Sequence, residues 1–251
     1  MKKKTIAIKL IMLIIITFPT SILNAQNENM GWHHPLYDLQ GSSFYPQGSN
    51  IQTEGVSLDW QADIVTSDDL NKVPVLTGNV IGDSQIEIVM ACNDSLYVYS
   101  SGGNLLLKQN ISYQGQANLR VNMLEDIDGD NLLDIGVSYY RSLGSYGEGV
   151  AQIYNGEGLV LKTFVKSVSS DMAMIPLTVM GNEIIIAYNC GFGDDPRGLS
   201  KWDLANEEEI WHFNVGPAYK AISSISDFNN DNVTEISYGN WTPHNGASGN
   251  G

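Results

Sequence analysis

Residues 126–140 read DIDGDNLLDIGVSYY, an acidic, glycine-containing turn that runs without a break into an apolar strand. The same succession occurs as GDSQIEIVMA from Gly82, as NDNVTEISYG from Asn230 and, in a weaker form, as GNEIIIAYN from Gly181. The acids that open these strands are Glu87, Asp134, Glu183 and Glu235, at steps of 47, 49 and 52 residues. Self-similarity at a fixed period of this size is the signature of a repeat architecture.

A second half-motif follows the first. It reads LYVYSSGGNLLLK from Leu96, AQIYNGEGLVLKTF from Ala151 and LSKWDLANEEEIWHF from Leu199. Tyr99, Tyr154 and Trp202 take the same place before a polar turn. Helical periodicity is weak throughout, and short β-rich runs bounded by Gly, Asn, Asp and Ser dominate. The predicted strands are 85–91, 96–99, 134–140, 150–154, 159–165, 183–188, 209–215 and 235–238. The fold class is therefore all-β. Three or four strands per unit of about fifty residues make a blade, which cannot bury both faces alone, so blades stack radially into a propeller. Residues 56–251 supply about three complete blades and part of a fourth. A ring needs about four to eight blades. The expectation is an incomplete ring or a piece of a longer chain, with residues 56–64 (VSLDWQADI) as the alternative source of closing strands.

The turn-plus-strand half resembles the FG-GAP or VCBS repeat of integrin-alpha-like propellers. The hairpin half, above all Lys201-Trp202-Asp203-Leu204 through Glu209-Ile210-Trp211, resembles quinoprotein-like (PQQ-type) propeller repeats. The leader GWHHPLYDLQGSSFYPQGSNI, followed by LDW, is similar to the segment that opens such secreted propellers. The resemblance covers roughly residues 31–251. It implies a fold more than an activity, because one fold hosts many functions.

The chemistry is concentrated in the turn. Asp126, Asp128, Asp130 and Asp134 place carboxylates at positions 1, 3, 5 and 9, and Gly129 permits the bend. Alternate residues then converge on one centre, with the Leu132 carbonyl as a fifth oxygen. Calcium takes six to eight such hard oxygens in a flexible geometry, whereas magnesium demands a stricter octahedron. The loop resembles the FG-GAP/VCBS calcium loop. It also resembles the first nine positions of an EF-hand, but position 12 is Val137, and the surrounding run is strand-like. A second set is Asp227, Asn229, Asp231, the Val233 carbonyl and Glu235, with less charge and no glycine. The copy nearest the amino terminus keeps Asn79, Asp83 and Glu87 but has Ile81 in place of the second ligand, which predicts a structural turn without metal. The calcium is expected to be structural, holding a turn between strands and neutralising its acids.

Residues 1–25 read as a secretory signal peptide: Lys2, Lys3, Lys4 and Lys9, then an apolar stretch from Leu10 to Phe18, then Ala25 before polar Gln26. Residues 26–55 form an extended leader. Nothing after residue 25 reads as a membrane span, so the chain is expected to be exported, to the cell surface or beyond. The 251 residues hold 13 basic and 28 acidic side chains, for a net charge of −15, which falls to −19 without the four lysines of the signal. So acidic a chain is a poor binder of nucleic acid or anionic membrane. Cys92 and Cys190 each follow an apolar run and read as two buried thiols or as a pair bridged across structural units. Four glycosylation sequons occur, at Asn93, Asn110, Asn232 and Asn240.

No catalytic set assembles. His33 and His34 are adjacent in the leader and point apart in an extended chain. His212 is expected on the polar face of its strand, and His244 is isolated. Among the aromatics, Trp60, Trp202 and Trp211 read chiefly as packing between blades, Trp32 and Trp241 as surface residues. Glu207-Glu208-Glu209 reads as a solvated hairpin turn. The expected function is non-enzymatic binding or adhesion to an extracellular protein or polysaccharide, through the Gly-rich loops 141–149 and 191–198. The alternatives are a propeller enzyme (a polysaccharide lyase or a quinoprotein-like dehydrogenase) and a structural spacer. Nine basic residues remain after the signal, and none cluster, which counts against a lyase for anionic sugars.

Overall fold

The structure, a computed structural model, describes residues 60–61, 74–111, 116–168, 172–190, 196–215 and 223–238. The signal segment, the leader with Trp32, His33 and His34, and the Trp241 and His244 region lie outside the described residues.

Among the described residues the secondary structure is all β. In chain order the strands are β1 (Val75–Gly78), β2 (Glu87–Cys92), β3 (Ser95–Ser100), β4 (Leu105–Asn110), β5 (Gln116–Glu125), β6 (Asp134–Ser142), β7 (Gly147–Tyr154), β8 (Val160–Val168), β9 (Met172–Met180), β10 (Glu183–Cys190), β11 (Gly198–Asp203), β12 (Glu209–Phe213), β13 (Ser223–Ser226) and β14 (Glu235–Tyr238). They form four antiparallel sheets: β1–β4, β5–β8, β9–β12 and the pair β13–β14. Every strand pairs with its neighbour in sequence, so each sheet is a simple meander. The acid that opens the second strand always faces the last residue of the first: Gly78 with Glu87, Glu125 with Asp134, Met180 with Glu183 and Ser226 with Glu235. A bulge recurs just before the hairpin turn in the three larger sheets, at Val98/Tyr99, Ile153/Tyr154 and Lys201/Trp202. The extra residue lies on the partner strand in each case, and Tyr99, Tyr154 and Trp202 opposite it are all buried.

The first strand of each sheet was not legible as a strand. β5 carries Asn118, Arg120 and Asn122 amid its apolar residues, and β9 contains Pro176. Proline is tolerated in β9 because that strand is the sheet edge, and the register shifts beside its partner Ile186.

The sheets pack face to face in chain order. Ile135, Val137, Tyr139 and Tyr154 of the second sheet share a core with Val89, Ala91, Leu96 and Val98 of the first. Its other face supplies Met123, Ala151, Ile153 and Phe164 to a core with Met174, Ile184, Ile186, Tyr188 and Trp202 of the third. Ile236 and Tyr238 of β14 pack on Ile185, Ala187 and Leu199 of the third sheet. Burial on both faces explains why IGVSYY and EIIIAY are nearly continuous apolar runs rather than alternating ones. Each fully buried Ile, Val or Phe here contributes about 1.5–3 kcal/mol. Phe164 meets Trp202 edge-on at 5.8 Å between ring centroids, which ties β8 to the hairpin of the next sheet.

Three expectations are corrected. The span 141–149 is not a long loop: β6 runs to Ser142, β7 starts at Gly147, and Leu143 N donates to Tyr146 O across a four-residue turn. Gly147 there lets the Tyr140 ring lie across the backbone, since a Cβ would come within 2.2 Å of its hydroxyl. Glu209 is exposed, as expected, but it lies in a strand rather than the turn: it opens β12, and its carboxylate accepts from Lys166 Nζ at 2.6 Å and Tyr188 OH at 3.0 Å. His212 leaves the polar face and packs edge-on against Tyr188 at 5.2 Å. Cys92 and Cys190 end strands of the first and third sheets, with the second sheet between them.

Candidate metal centre

Three of the four sheets join their first two strands by an eight-residue turn: residues 79–86, 126–133 and 227–234. All three have left-handed backbone at the same two places. These are Gly82 and Ser84 (φ 88° and 64°), Gly129 and Asn131 (84° and 69°), and Asn230 and Asn232 (60° and 66°). Glycine and asparagine reach this region at little cost, which is how the sequence permits the double bend. The acid at position 9 then folds back to accept from the backbone amide at position 2: Val80 N to Glu87 Oε2, Ile127 N to Asp134 Oδ2 and Phe228 N to Glu235 Oε2. These bonds are 2.8, 2.8 and 2.7 Å long.

In the second sheet's turn, Asp126 accepts from Gly129 N at 2.7 Å and Asn131 N at 2.9 Å. Asp128 Oδ1 accepts from Asp130 N at 3.2 Å, and Asp130 Oδ1 from Leu132 N at 2.8 Å. Each carboxylate is thus held by main chain, and one oxygen from each of Asp126, Asp128 and Asp130 lies within 4.8 Å of the others. Asp134, the first residue of β6, is nearly fully buried. Burial raises its pKa to about 6 against the pull of the Ile127 amide, and the acids at 128, 130 and 126 raise it further. A buried carboxylate near three others is held at a cost that a divalent cation would remove.

The fourth sheet's turn repeats the arrangement. Asp227 accepts from Asp231 N and Asn232 N, Asn229 Oδ1 from Asp231 N, and Asp231 Oδ1 from Val233 N. Asn229 Nδ2 donates to Glu235 Oε1 at 3.0 Å. Oxygens of Asp227, Asp231 and Glu235 lie within 4.8 Å of one another. Leu132 and Val233 both occupy position 7, each with its amide bonded back to the acid at position 5. Eight of the ten expected ligand residues therefore lie on two turns of one design, and the other two, Asp134 and Glu235, open the strands that follow. Asp126, Asp128 and Asp130 converge in the first turn and Asp227, Asp231 and Glu235 in the second; the position-9 acid thus belongs to the second group, while Asp134 stays outside the first and accepts from Ile127 N. Oxygen-only donors with two or more carboxylates suit calcium or another hard divalent ion.

The third sheet differs. β9 and β10 are joined by Gly181 and Asn182 alone, and Glu183 pairs with Lys201 Nζ at 2.7 Å. The expected weaker copy of the turn there has the strand but not the loop.

Sequence reasoning passed over Glu125. It ends β5, one residue before the loop, and accepts from Thr178 Oγ1 at 2.6 Å and Val179 N at 2.7 Å of the next sheet. Burial holds its pKa up at about 7 against both hydrogen bonds. A single acid at a strand end gives no sequence signal, and its partners are more than fifty residues away. The turns also touch: Leu133 N donates to Asn79 O at 3.0 Å, and the Leu132 side chain lies on Gly82.

Comparison with protein-family models, with curated proteins and with solved structures finds no match to this chain.

Proposed function

We propose that this chain is an exported, calcium-stabilised β-propeller module of FG-GAP/VCBS type that binds an extracellular protein or polysaccharide without catalysing a reaction. The observation that carries the calcium reading is the convergence of three carboxylates in each of two turns with the same backbone. Face-to-face packing of successive four-stranded meanders supports the blade reading. The ion would replace repulsion among Asp126, Asp128, Asp130 and Asp134 with attraction and hold the turn at the sheet end. Contact with a ligand would fall to turn tips such as 143–146, where Leu143 and Tyr146 are 43% and 50% exposed.

Calcium titration of the chain by calorimetry, with a melting curve at each point, tests the ion. Binding with a rise in melting temperature, and the loss of one equivalent in each of Asp126→Ala and Asp227→Ala, is expected. Absence of binding with an unchanged melt overturns the reading. A glycan array and a panel of matrix proteins, probed with calcium and with chelator, test the ligand. Calcium-dependent retention weakened by Tyr146→Ala is expected, and retention of nothing in either condition rejects the binding role.

A further inference from the structure

We infer that the first sheet's turn, residues 79–86 with Glu87, is a third divalent-cation site, built on Asn79, Asp83 and Glu87. The sequence argues against it, since Ile81 stands at position 3 where Asp128 and Asn229 offer oxygens. The side chains argue for it. Glu87 is fully buried. Its Oε2 accepts from Val80 N and, at 3.3 Å, from Ile81 N. Its Oε1 is enclosed and makes no hydrogen bond. A buried carboxylate oxygen without a partner is costly and calls for a compensating ligand. Asp83 lies beside it, near enough to bond a protonated Glu87; burial first, and then the charge and side-chain contact of Asp83, hold the Glu87 pKa above its ordinary value against the two amides.

Asn79 Oδ1 accepts only from Gly82 N at 3.0 Å, and Asp83 Oδ1 from Gln85 N at 2.9 Å. Each retains acceptor capacity. The three residues occupy positions 1, 5 and 9, as Asp227, Asp231 and Glu235 do in a turn whose oxygens converge. Ser84, at φ 64°, completes the same double bend without the asparagine found in the other two turns. Two carboxylates and one amide match the charge of a single divalent ion, with water at the place Ile81 vacates. The choice of calcium rests on the reading of the two more acidic turns.

Calorimetric titration with calcium separates the two ideas. The chain is expected to bind three equivalents, and Glu87→Gln, which keeps both amide contacts, to bind two. Asp83→Asn, at an exposed position, is expected to weaken the same equivalent at least tenfold and serves if the first variant does not fold. Two equivalents in the parent and in both variants, with Glu87→Gln melting no lower in chelator, overturn the third site and show a proton on Glu87 instead. No binding in any chain overturns this inference together with the calcium reading.

Discussion

The second and third sheets solve the same joint in two ways. Glu125 faces Asp134 across an eight-residue turn, residues 126–133, and Met180 faces Glu183 across only Gly181 and Asn182. The strands are otherwise alike, and both sheets are buried on both sides. Two residues are therefore enough to connect them. The longer turn spends extra chain and crowds like charges near a buried Asp134, so connectivity does not explain it. The acid at the start of the second strand is neutralised differently in each case. Glu183 has the Lys201 ammonium at 2.7 Å, while Asp134 has one amide and three more acids. Where the protein could have used a lysine, it built an oxygen cage.

The largest effect that would sharpen this contrast is chelation. A site saturated a hundredfold above its Kd contributes about 2.7 kcal/mol, so stripping two sites should lower Tm by on the order of 10 °C in a chain of this size. Differential scanning calorimetry with calcium and with EDTA measures it, and equal melts would erase the distinction between the sheets. Next comes acidity. The folded pKa of Asp134, about 6, lies above its ordinary 3.8, so between those values the native state holds the extra proton. Stability in chelator should then fall as pH rises through that window, and it recovers on acidification. Calcium requires the ionised group, so its affinity should rise over the same range, and melts at pH 4.5 and 7 with and without ion read both signs.

A graft attacks the comparison directly. Replacing residues 126–133 by Gly-Asn gives the second sheet the third sheet's joint. The product should lose one calcium equivalent and be destabilised in chelator by about 2–5 kcal/mol, because the graft also removes buried Leu133 and its bond to Asn79 O, which the relief of repulsion offsets only in part. Failure to fold in chelator would make the acidic turn a structural necessity after all. The smallest effect belongs to Lys201→Met. The pair it breaks is a quarter to a third exposed, so urea denaturation should show a loss of about 1 kcal/mol or less.

The second strands and the hairpins were legible because burial on both faces writes unbroken apolar runs, and because Tyr99, Tyr154 and Trp202 recur before a turn. The acidic turns were legible because Asp, Asn and Gly favour tight turns and recur here at the same spacing before each apolar strand. The first strands were not. β1 and β13 have four residues each, β5 mixes Asn and Arg with its apolar side chains, and β9 holds a proline that only an edge position excuses. Contacts set by tertiary packing were equally silent. Neither the bare oxygen of Glu87 nor the bonds from Thr178 and Val179 to Glu125 can be read from the local sequence, since each depends on what the neighbouring backbone encloses. Gly156 illustrates the same limit. It looks like an ordinary turn residue, yet a Cβ there would stand 1.7 Å from Val80 O of the first sheet.

The meander order of every sheet bears on how the molecule is made. Among the described strands every pairing joins neighbours along the chain, and β1, β5, β9 and β13 each wait only for the strand that follows. Loop-closure entropy is then small for each hairpin within a sheet. A sheet can zip up as soon as its own fifty or so residues are free, and the next can condense on its finished face. Assembly can thus advance from the amino-terminal end in the direction of synthesis, each completed layer serving as the template for the one after it.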